Sequence, residues 1–453
     1  MAVSVQPIAP ADPHAEAPAT LAEAAPRTLG LFDQFGFWGN LGVSLFGLTT
    51  ASTVLLALPG QPLPLPAALL AVLTGTVIGG VILGISLMLG ARTGAPAMVL
   101  LRGVLGARAS YLPTVLNIVQ NLGWGTFEVI LIAESLRSVL HQHLDRWVCV
   151  LLAGVLTTAL TIRPLGAIRV IRRYVTALVV VATVVLAIGL LRQHIPAVPA
   201  SAHPSWHGFW LGVDAVVAVS ISWVPLGADY SRHSRTERSA FLGGFIGYGL
   251  TQIACYAVGL LALLRVLNNP DGIFDFYLTL PLGTIALIVL VLRETDQSFA
   301  NTYSTAISVQ NLRPNWDRRV LSTMIGAVIT LAALKIHIGS YLNFLSLIGG
   351  VFVPLSGVLV AAWLRTRGDG WDLSTRARTR PGLLIAWLVG FICYQLVNPG
   401  YFSYWSDFWT RAGTDLHTLG HTWLSASITA FLVSVALAYP WARLDEQRTG
   451  SRR

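Results

Sequence analysis

The sequence predicts an all-α polytopic membrane protein with about twelve transmembrane helices. Of its 453 residues, 54% are hydrophobic and only 11% are charged, and the mean hydropathy is +0.65. Soluble globular chains carry about 25% charged residues. Apolar runs long enough to cross a hydrocarbon core of about 30 Å recur from one end of the chain to the other. A soluble enzyme is therefore excluded.

Twelve apolar runs are the candidate spans, and the third and eighth are long enough to be tilted. Their predicted bounds are 35–58, 66–90, 112–140, 147–162, 170–192, 209–228, 240–265, 281–310, 319–336, 341–364, 382–398 and 421–440. Residues 1–30 are rich in Ala and Pro and lack the basic start and apolar core of a signal peptide. We expect them to form a disordered cytoplasmic tail.

The distribution of the cations predicts the orientation. With the N-terminus in the cytoplasm, 23 of the 30 Lys and Arg residues fall in inner segments, six fall in outer segments, and Arg293 falls inside a span. An excess of cations in cytoplasmic loops is typical of membrane proteins. It places both termini inside and explains the net charge of +9 without a nucleic-acid partner.

Two predicted spans look interrupted. The first contains a GNLG step around Asn40, and the sixth contains Pro225 followed by Gly227. A backbone group freed in lipid needs a partner, so a break is tolerated only in a buried or cavity-lining position. Breaks five spans apart fit a five-plus-five inverted repeat with solute and ion held at the broken helices. The alternative is that the glycines only allow close packing and the proline only bends its helix.

The third span carries a polar stripe. Asn117, Asn121, Trp124 and Glu128 follow each other at i, i+4, i+7 and i+11, within about 60° on one helix face. An indole can stack on a flat ring, and a carboxylate can accept its N–H donors. The stripe therefore predicts a site for a nitrogen-rich ring, with a polar seam between two helices as the alternative.

The eighth span repeats that spacing. Its stripe is Glu294, Ser298, Asn301 and Thr305, and Thr295, Asp296 and Gln297 lie beside it. The third and eighth spans are symmetry mates in a five-plus-five repeat, so we expect both stripes to face one site. Arg293 and Asp296 stand at i, i+3, which predicts an ion pair between them.

The remaining polar residues carry less information. Asp229 lies near Arg232 and Arg235, which predicts a surface ion pair or a helix cap. The alternative is that Asp229 forms a contact that holds a gate closed. The three cysteines and the loop histidines show no metal-ligand spacing, and no cofactor is expected. A membrane-embedded enzyme would need a nucleophile with its base or an HExxH metal pair, and the sequence contains neither.

From Leu31 to Arg367 the chain resembles the nucleobase:cation symporter-1 family, which includes bacterial cytosine permeases and hydantoin transporters. The motifs that carry the resemblance are GW…E at Gly123, Trp124 and Glu128, ADYSR at 228–232, TDQSFANTYS at 295–304, and FLSLIGGVFVPLSGVLVAAWL at 344–364. The resemblance implies a LeuT-like fold with a ten-helix core over 31–367, two additional helices over 368–440, and a cytoplasmic tail over 441–453. It also implies import of a nucleobase-like ring across the bacterial inner membrane by alternating access, driven by a sodium or proton gradient.

The resemblance also implies the site residues. A ring would be sandwiched between Trp124 and the 220–223 stretch of the sixth span, with amides from the third and eighth spans beside it. The implied substrate-binding set is Asn121, Trp124, Glu128, Ser220, Ser222, Trp223, Gln297 and Asn301.

A sodium site would use the carbonyls of Asn40 and Val43 and eighth-span side chains at Glu294 and Thr295. The chain departs from the family here, because a hydroxyl residue is expected where Glu294 stands and a neutral residue where Asp296 stands. Either carboxylate could bind sodium as a hard oxygen ligand or carry a proton instead, so the sequence leaves the coupling ion open.

Glu128 also replaces a neutral amide of the family. A carboxylate favours a solute with two adjacent donors, such as cytosine or the hydroxymethyl-aminopyrimidine precursor of thiamine, over uracil or a hydantoin. The alternatives are an amine or amino-acid transporter on the same fold and, less well supported, a channel. The sequence does not indicate the oligomeric state.

Overall fold

The computed structural model describes residues 17–58, 60–140, 143–162, 164–165, 174–194, 196, 203–266, 272–336, 341–400, 403–415 and 423–450. Within these ranges the regular structure is helical, and the β-type contact between Leu29 and Ser234 is an isolated bridge. The predicted all-α class is confirmed.

The helices are numbered here in chain order over the described residues. They are α1 Leu31–Gly42, α2 Leu45–Leu55, α3 Leu65–Thr93, α4 Ala97–Leu105, α5 Tyr111–Val139, α6 Arg146–Leu160, α7 Thr176–Leu191, α8 Phe209–Ile221, α9 Val224–Ser231, α10 Glu237–Leu263, α11 Ile273–Leu278, α12 Gly283–Leu312, α13 Arg318–Lys335, α14 Tyr341–Thr366, α15 Pro381–Val397, α16 Ser403–Asp415 and α17 Ala426–Gly450.

Each of the twelve predicted spans coincides with one of these helices or with a broken pair. The third span, predicted at 112–140, is α5, and the eighth, predicted at 281–310, is α12. Five helical segments of the described chain are long and apolar enough to cross a membrane, and shorter apolar helices accompany them. The agreement follows from the length of the apolar runs, since about 20 residues are needed to cross the hydrocarbon core.

Both predicted interruptions are present. The first span breaks between α1 and α2, where Val43 is extended and the Ser44 side chain accepts the Phe46 N–H at 3.0 Å. The sixth breaks between α8 and α9, and Pro225 lies in the first turn of α9. The first break therefore follows Asn40 by three residues, because Ser44 provides the cap that starts a new helix.

The chain repeats its plan after five spans. Each group of five begins with a broken helix, and a short helix separates its second and third spans: α4 in the first group and α11 in the second. α5 packs along α12, and α1 packs along α10. The two breaks and the two polar stripes thus meet in the middle of one bundle.

The segment 17–30, here called the N-terminal strap, lies across the arginine-rich end of this bundle. Leu29 donates its N–H to the His233 carbonyl at 2.9 Å and accepts from the Arg235 N–H at 2.8 Å. The Ala19 carbonyl accepts from the Arg318 N–H at 3.0 Å. Residues 17–30 thus make backbone contacts with the bundle, whereas the sequence predicts a disordered tail over 1–30, and residues 1–16 lie outside the described ranges.

The two additional helices, α15 and α17, pack against each other and against α14. Asp214, buried on α8, accepts from the Ser425 hydroxyl at 2.5 Å and from the Ala426 N–H at 2.9 Å. A carboxylate at the start of a helix satisfies its free N–H groups. Asp214 thus fixes the start of α17 to the sixth span.

Candidate functional site

A small cavity of about 30 Å³ lies between the two broken helices. Residues of α1, α2, α5, α8, α9, α10 and α12 line it, together with the two breaks. Six of the eight residues predicted to bind substrate are among them: Trp124, Glu128, Ser222, Trp223, Gln297 and Asn301. The sequence therefore located this cavity correctly, while the solute-binding roles of these residues stay predictions.

Aromatic rings form two sides of the cavity. Trp124 makes edge contacts with Phe46 and Phe344, each with ring centroids 5.6 Å apart. Trp223 makes an edge contact with Trp38 at 6.1 Å. Edge-to-face contacts favour defined ring orientations. The two indoles therefore offer flat apolar surfaces in fixed positions.

A carboxylate and an amide join the two polar stripes. The Asn301 amide nitrogen on α12 donates to both carboxylate oxygens of Glu128 on α5, at 3.0 and 2.9 Å. Both side chains are buried, and the described part of the chain gives Glu128 no ion pair. A buried carboxylate needs donors to offset its desolvation. A solute with N–H groups can provide the donors that Asn301 alone does not.

Gln252 on α10 is a cavity residue that the sequence analysis missed. Its side chain is 2% exposed, and its amide oxygen accepts from the Ser220 hydroxyl at 3.0 Å. Its amide nitrogen has no hydrogen-bond partner among the described residues. Buried amides are normally bonded, so this free donor is a second polar group available to a solute. A glutamine in an apolar run was the available signal.

Two predicted residues lie outside the cavity lining. Ser220 faces Gln252 and therefore positions that amide instead of lining the cavity itself. Asn121 is fully buried, and neither polar atom of its side chain has a hydrogen-bond partner in the described part of the chain. The structure gives no physical account of Asn121.

Gln297 bridges the two sides of the first-span break. Its amide nitrogen donates to the Leu41 carbonyl at 2.8 Å, at the end of α1. Its amide oxygen lies 2.9 Å from the Ser44 hydroxyl, which caps α2. Gln297 therefore bonds to the helix end on each side of the break. It also lines the cavity, so it connects the break to the site.

Charged groups of α12 complete the same break. The Arg293 guanidinium donates to the Asn40 carbonyl and forms a 3.1 Å ion pair with Glu294. Glu294 also accepts from the Leu45 N–H at 3.0 Å and lies 2.9 Å from the Ser44 hydroxyl. Arg293 and Glu294 are both 0% exposed. A buried ion pair thus connects the last turn of α1 to the first turn of α2.

This arrangement corrects the ion pair predicted for Arg293. Arg293 forms its ion pair with Glu294 and not with Asp296, which accepts from the Asn40 amide at 3.0 Å. The reason is that the first-span break offers Arg293 the Asn40 carbonyl and Glu294 the Leu45 N–H, which spacing along α12 cannot indicate. Thr295 donates its hydroxyl hydrogen to the Leu292 carbonyl of its own helix at 2.6 Å, and its role as a cation ligand stays a prediction.

Asp229 differs from its predicted surface pairing. It is 1% exposed, accepts from the Ala97 N–H at 2.9 Å, and is also bonded to the Ser304 hydroxyl. The surface ion pair with Arg232 or Arg235 is therefore wrong, and the capping role applies to α4 instead of the helix that carries Asp229. Spacing along one helix cannot indicate a partner on another.

Comparison with known proteins identifies the family. A family model described as a permease for cytosine/purines, uracil, thiamine and allantoin matches residues 22–382. The cytosine permease of Escherichia coli strain K12 is 25% identical over 311 residues, which is 66% of this chain and 70% of that protein.

Solved structures show the same fold. Mhp1, a nucleobase-cation-symport-1 family transporter solved in a closed conformation with bromovinylhydantoin bound, superposes with a TM-score of 0.73 at 15% identity, covering 95% of this chain and 94% of Mhp1. A Na+-coupled sialic acid symporter gives 0.60 at 14% identity, covering 92% of this chain and 90% of that one. The predicted LeuT-like five-plus-five fold is confirmed. Because the family model covers most of its length, the chain belongs to the family of permeases for cytosine/purines, uracil, thiamine and allantoin.

Proposed function

We propose that this protein is a secondary active transporter that imports a nucleobase or an aminopyrimidine by alternating access, coupled to a cation gradient. One observation carries the proposal: the Glu128–Asn301 pair lies beside two fixed indoles in a cavity between two broken helices. Membership of a permease family supports transport over catalysis. Broken helices are where transporters of this kind hold their solutes.

The polar groups favour one pattern of solute donors and acceptors. Glu128 can accept two adjacent N–H groups, as an aminopyrimidine edge offers in its protonated form. The free amide nitrogen of Gln252 can donate to a ring nitrogen or carbonyl. Trp124 and Trp223 supply faces for stacking. This combination supports cytosine or a hydroxymethyl-aminopyrimidine over uracil, whose two carbonyls would face a carboxylate.

The size of the cavity supports a cycle with an occluded arrangement. About 30 Å³ of free volume accommodates about two water molecules. A ring therefore enters only when lining side chains such as Phe46, Trp124 or Trp223 move apart. Closure around a solute between two broken helices is the arrangement that alternating access requires.

The same proposal includes the location. The excess of arginines on one side supports a multi-pass protein of the bacterial plasma membrane with both termini in the cytoplasm. Among the described residues, three of those segments meet at one end of the bundle, where the guanidinium of Arg92 pairs with Asp369 at 2.7 Å and that of Arg102 donates to the Asn311 carbonyl at 2.8 Å.

An amine transporter on the same fold is the second candidate, because Glu128 would accept an ammonium group as well as a ring N–H. An amino acid is less well supported. Its carboxylate would need free helix-end amides at the first-span break, and the Leu45 N–H is already bonded to Glu294.

Uptake into proteoliposomes tests the proposal. Radiolabelled cytosine is offered under separate sodium and proton gradients, with hydroxymethyl-aminopyrimidine, adenine, uracil, amines and amino acids as competitors. We expect uptake that a nucleobase or aminopyrimidine inhibits. No uptake of cytosine, together with uptake of a radiolabelled amine by the same proteoliposomes, would support the second candidate.

The role of Glu128 is tested by E128Q. An amide accepts fewer hydrogen bonds than a carboxylate and carries no charge, so affinity for aminopyrimidines should fall about tenfold with expression retained. The matched control is E134Q, because Glu134 lies near the C-terminal end of the same helix, where it pairs with Arg137 and Arg146 outside the cavity. Unchanged affinity in E128Q would contradict direct contact between Glu128 and the ring.

A further inference from the structure

We infer that the guanidinium of Arg293 takes the place of a sodium ion at the first-span break, so that this site does not bind sodium. The resemblance to the family implies a sodium site at the carbonyls of Asn40 and Val43. One neighbour in fold is described as Na+-coupled. The residues present at this break do not fit such an ion.

The first step is the identity of the group on the Asn40 carbonyl. The Arg293 guanidinium donates a hydrogen bond to that oxygen. A guanidinium has only donors and stays charged in proteins. A sodium ion on the same carbonyl would therefore lie beside a permanent positive charge in a low-dielectric region, where like charges repel strongly.

The second step is the state of Glu294, the other oxygen ligand that could hold sodium. Its carboxylate is 0% exposed and forms an ion pair with Arg293. It also accepts the Leu45 N–H and lies within hydrogen-bond distance of Ser44. Its acceptor capacity toward the break is already in use, and the Thr295 hydroxyl donates to the Leu292 carbonyl of its own helix.

The third step is the electrostatics of the two helix ends. The last turn of α1 presents free carbonyls with partial negative charge, and the first turn of α2 presents free N–H groups with partial positive charge. Arg293 lies at the former and Glu294 at the latter. The ion pair thus stabilises the partial charges at both helix ends of the break. In transporters with broken helices, a bound cation stabilises such helix ends.

The functional consequence concerns sodium. Arg293 is covalently fixed to α12, so its charge cannot leave with the solute or be exchanged with solution. Solute binding should therefore not depend on sodium through this site. Only this solute measurement rests on the transport function proposed above; sodium binding itself can be measured without any solute.

The first experiment measures binding of sodium-22 to the purified full-length protein by scintillation proximity, with no solute present. For the wild type we expect no saturable binding. R293S/E294T removes both charges together and places hydroxyls on the α12 face toward Asn40, so we expect it to gain saturable binding. R137S is the control, because Arg137 also pairs with a glutamate, Glu134, on its own helix but far from the break.

Saturable sodium binding to the wild type would overturn the inference. Absence of binding in both the wild type and R293S/E294T would also overturn it, because Arg293 would then not be the cause of exclusion. R293Q/E294Q, which also removes both charges but keeps side chains of similar length, serves if the first double variant does not fold. R293K, which keeps a cation at this position, should show no saturable binding, and binding to R293K would contradict exclusion by charge.

The second experiment measures cytosine affinity in sodium chloride and in choline chloride. We expect the two affinities to agree within about twofold, whereas coupled ligands commonly change each other's affinity by fivefold or more. Tighter binding in sodium by that factor would contradict the inference. Absence of cytosine binding in both salts would instead count against the proposed solute, and the sodium-22 result would still decide the role of Arg293.

Discussion

The two broken helices lie at related positions of the repeat, yet they are held in different ways. At the break between α8 and α9, the Gln120 amide of α5 donates to the Ser222 carbonyl at 2.9 Å and the Asn117 amide donates to the Pro225 carbonyl at 3.3 Å. At the break between α1 and α2, the ion pair of Arg293 and Glu294 makes the corresponding contacts from α12. One break is neutral, and the other is charged.

This difference predicts which of the two breaks can rearrange at the lower cost in free energy. A neutral hydrogen bond contributes about 0.5–1.5 kcal/mol, and water can replace its partner. Removing one member of a buried ion pair costs about 3–5 kcal/mol. We therefore expect the first-span break to remain intact and the sixth-span break to rearrange when the cavity opens. The following variants test this expectation.

The largest effect is expected for R293A. It leaves the Glu294 carboxylate buried without its cation, which should reduce the free energy of unfolding by about 3–5 kcal/mol. Thermal melting in detergent measures it, with R137A as control, because the partly exposed Arg137–Glu134 pair should contribute at most about 1 kcal/mol. Equal melting temperatures for the two variants would contradict a structural role of the charged break.

A smaller effect is expected for G42A. A Cβ on Gly42 would lie 2.5 Å from the Tyr248 carbonyl oxygen, a backbone atom of α10. A Cβ on Gly227 near the other break would meet side-chain atoms, the tip of Leu87 at 2.7 Å and that of Leu83 at 3.3 Å. Overpacking costs about 1–3 kcal/mol, and side chains yield more easily than backbone. G42A should therefore melt at a lower temperature than G227A, and the reverse order would show that α9 is the more tightly packed helix.

The smallest effect is expected for Q120L at the neutral break. The Ser222 carbonyl loses its amide donor, which should cost about 1–2 kcal/mol of unfolding free energy. Chemical denaturation in detergent measures this loss. The control is Q193L, because Gln193 is half-buried and lies two residues after the end of α7. A loss as large as that of R293A would remove the distinction between the two breaks.

The sequence predicted the spans well because apolar runs are local and their length is set by the bilayer. It also predicted the sixth-span break, since Pro225 cannot donate a helical hydrogen bond. It placed the first break too early, although Ser44 followed by an apolar run is an ordinary helix-start signal. The short helices α4 and α11 were missed because each is too short to show an apolar period.

The contacts between helices were beyond the sequence. Arg293 and Asp296 have the spacing of an ion pair on one helix, but the carbonyl and N–H groups of the first-span break provide stronger partners for Arg293 and Glu294. Gln252 was missed for the same reason, because nothing in its own span indicates that Ser220 holds one end of its amide. Residue type predicted which polar groups are buried. Only the packing of the helices shows which of these groups form hydrogen bonds or ion pairs with each other.

The N-terminal strap has a consequence for how motion at the arginine-rich end can be observed. Its hydrogen bonds reach the loop after α9 and the start of α13, and Arg27 also donates to the Ala91 carbonyl at the end of α3. Contacts held by one short segment reinforce each other, because each bond that forms raises the effective concentration for the next. The segment should therefore release as a unit. The rate of hydrogen exchange or of limited proteolysis within residues 17–30 would then report how often that end of the bundle opens.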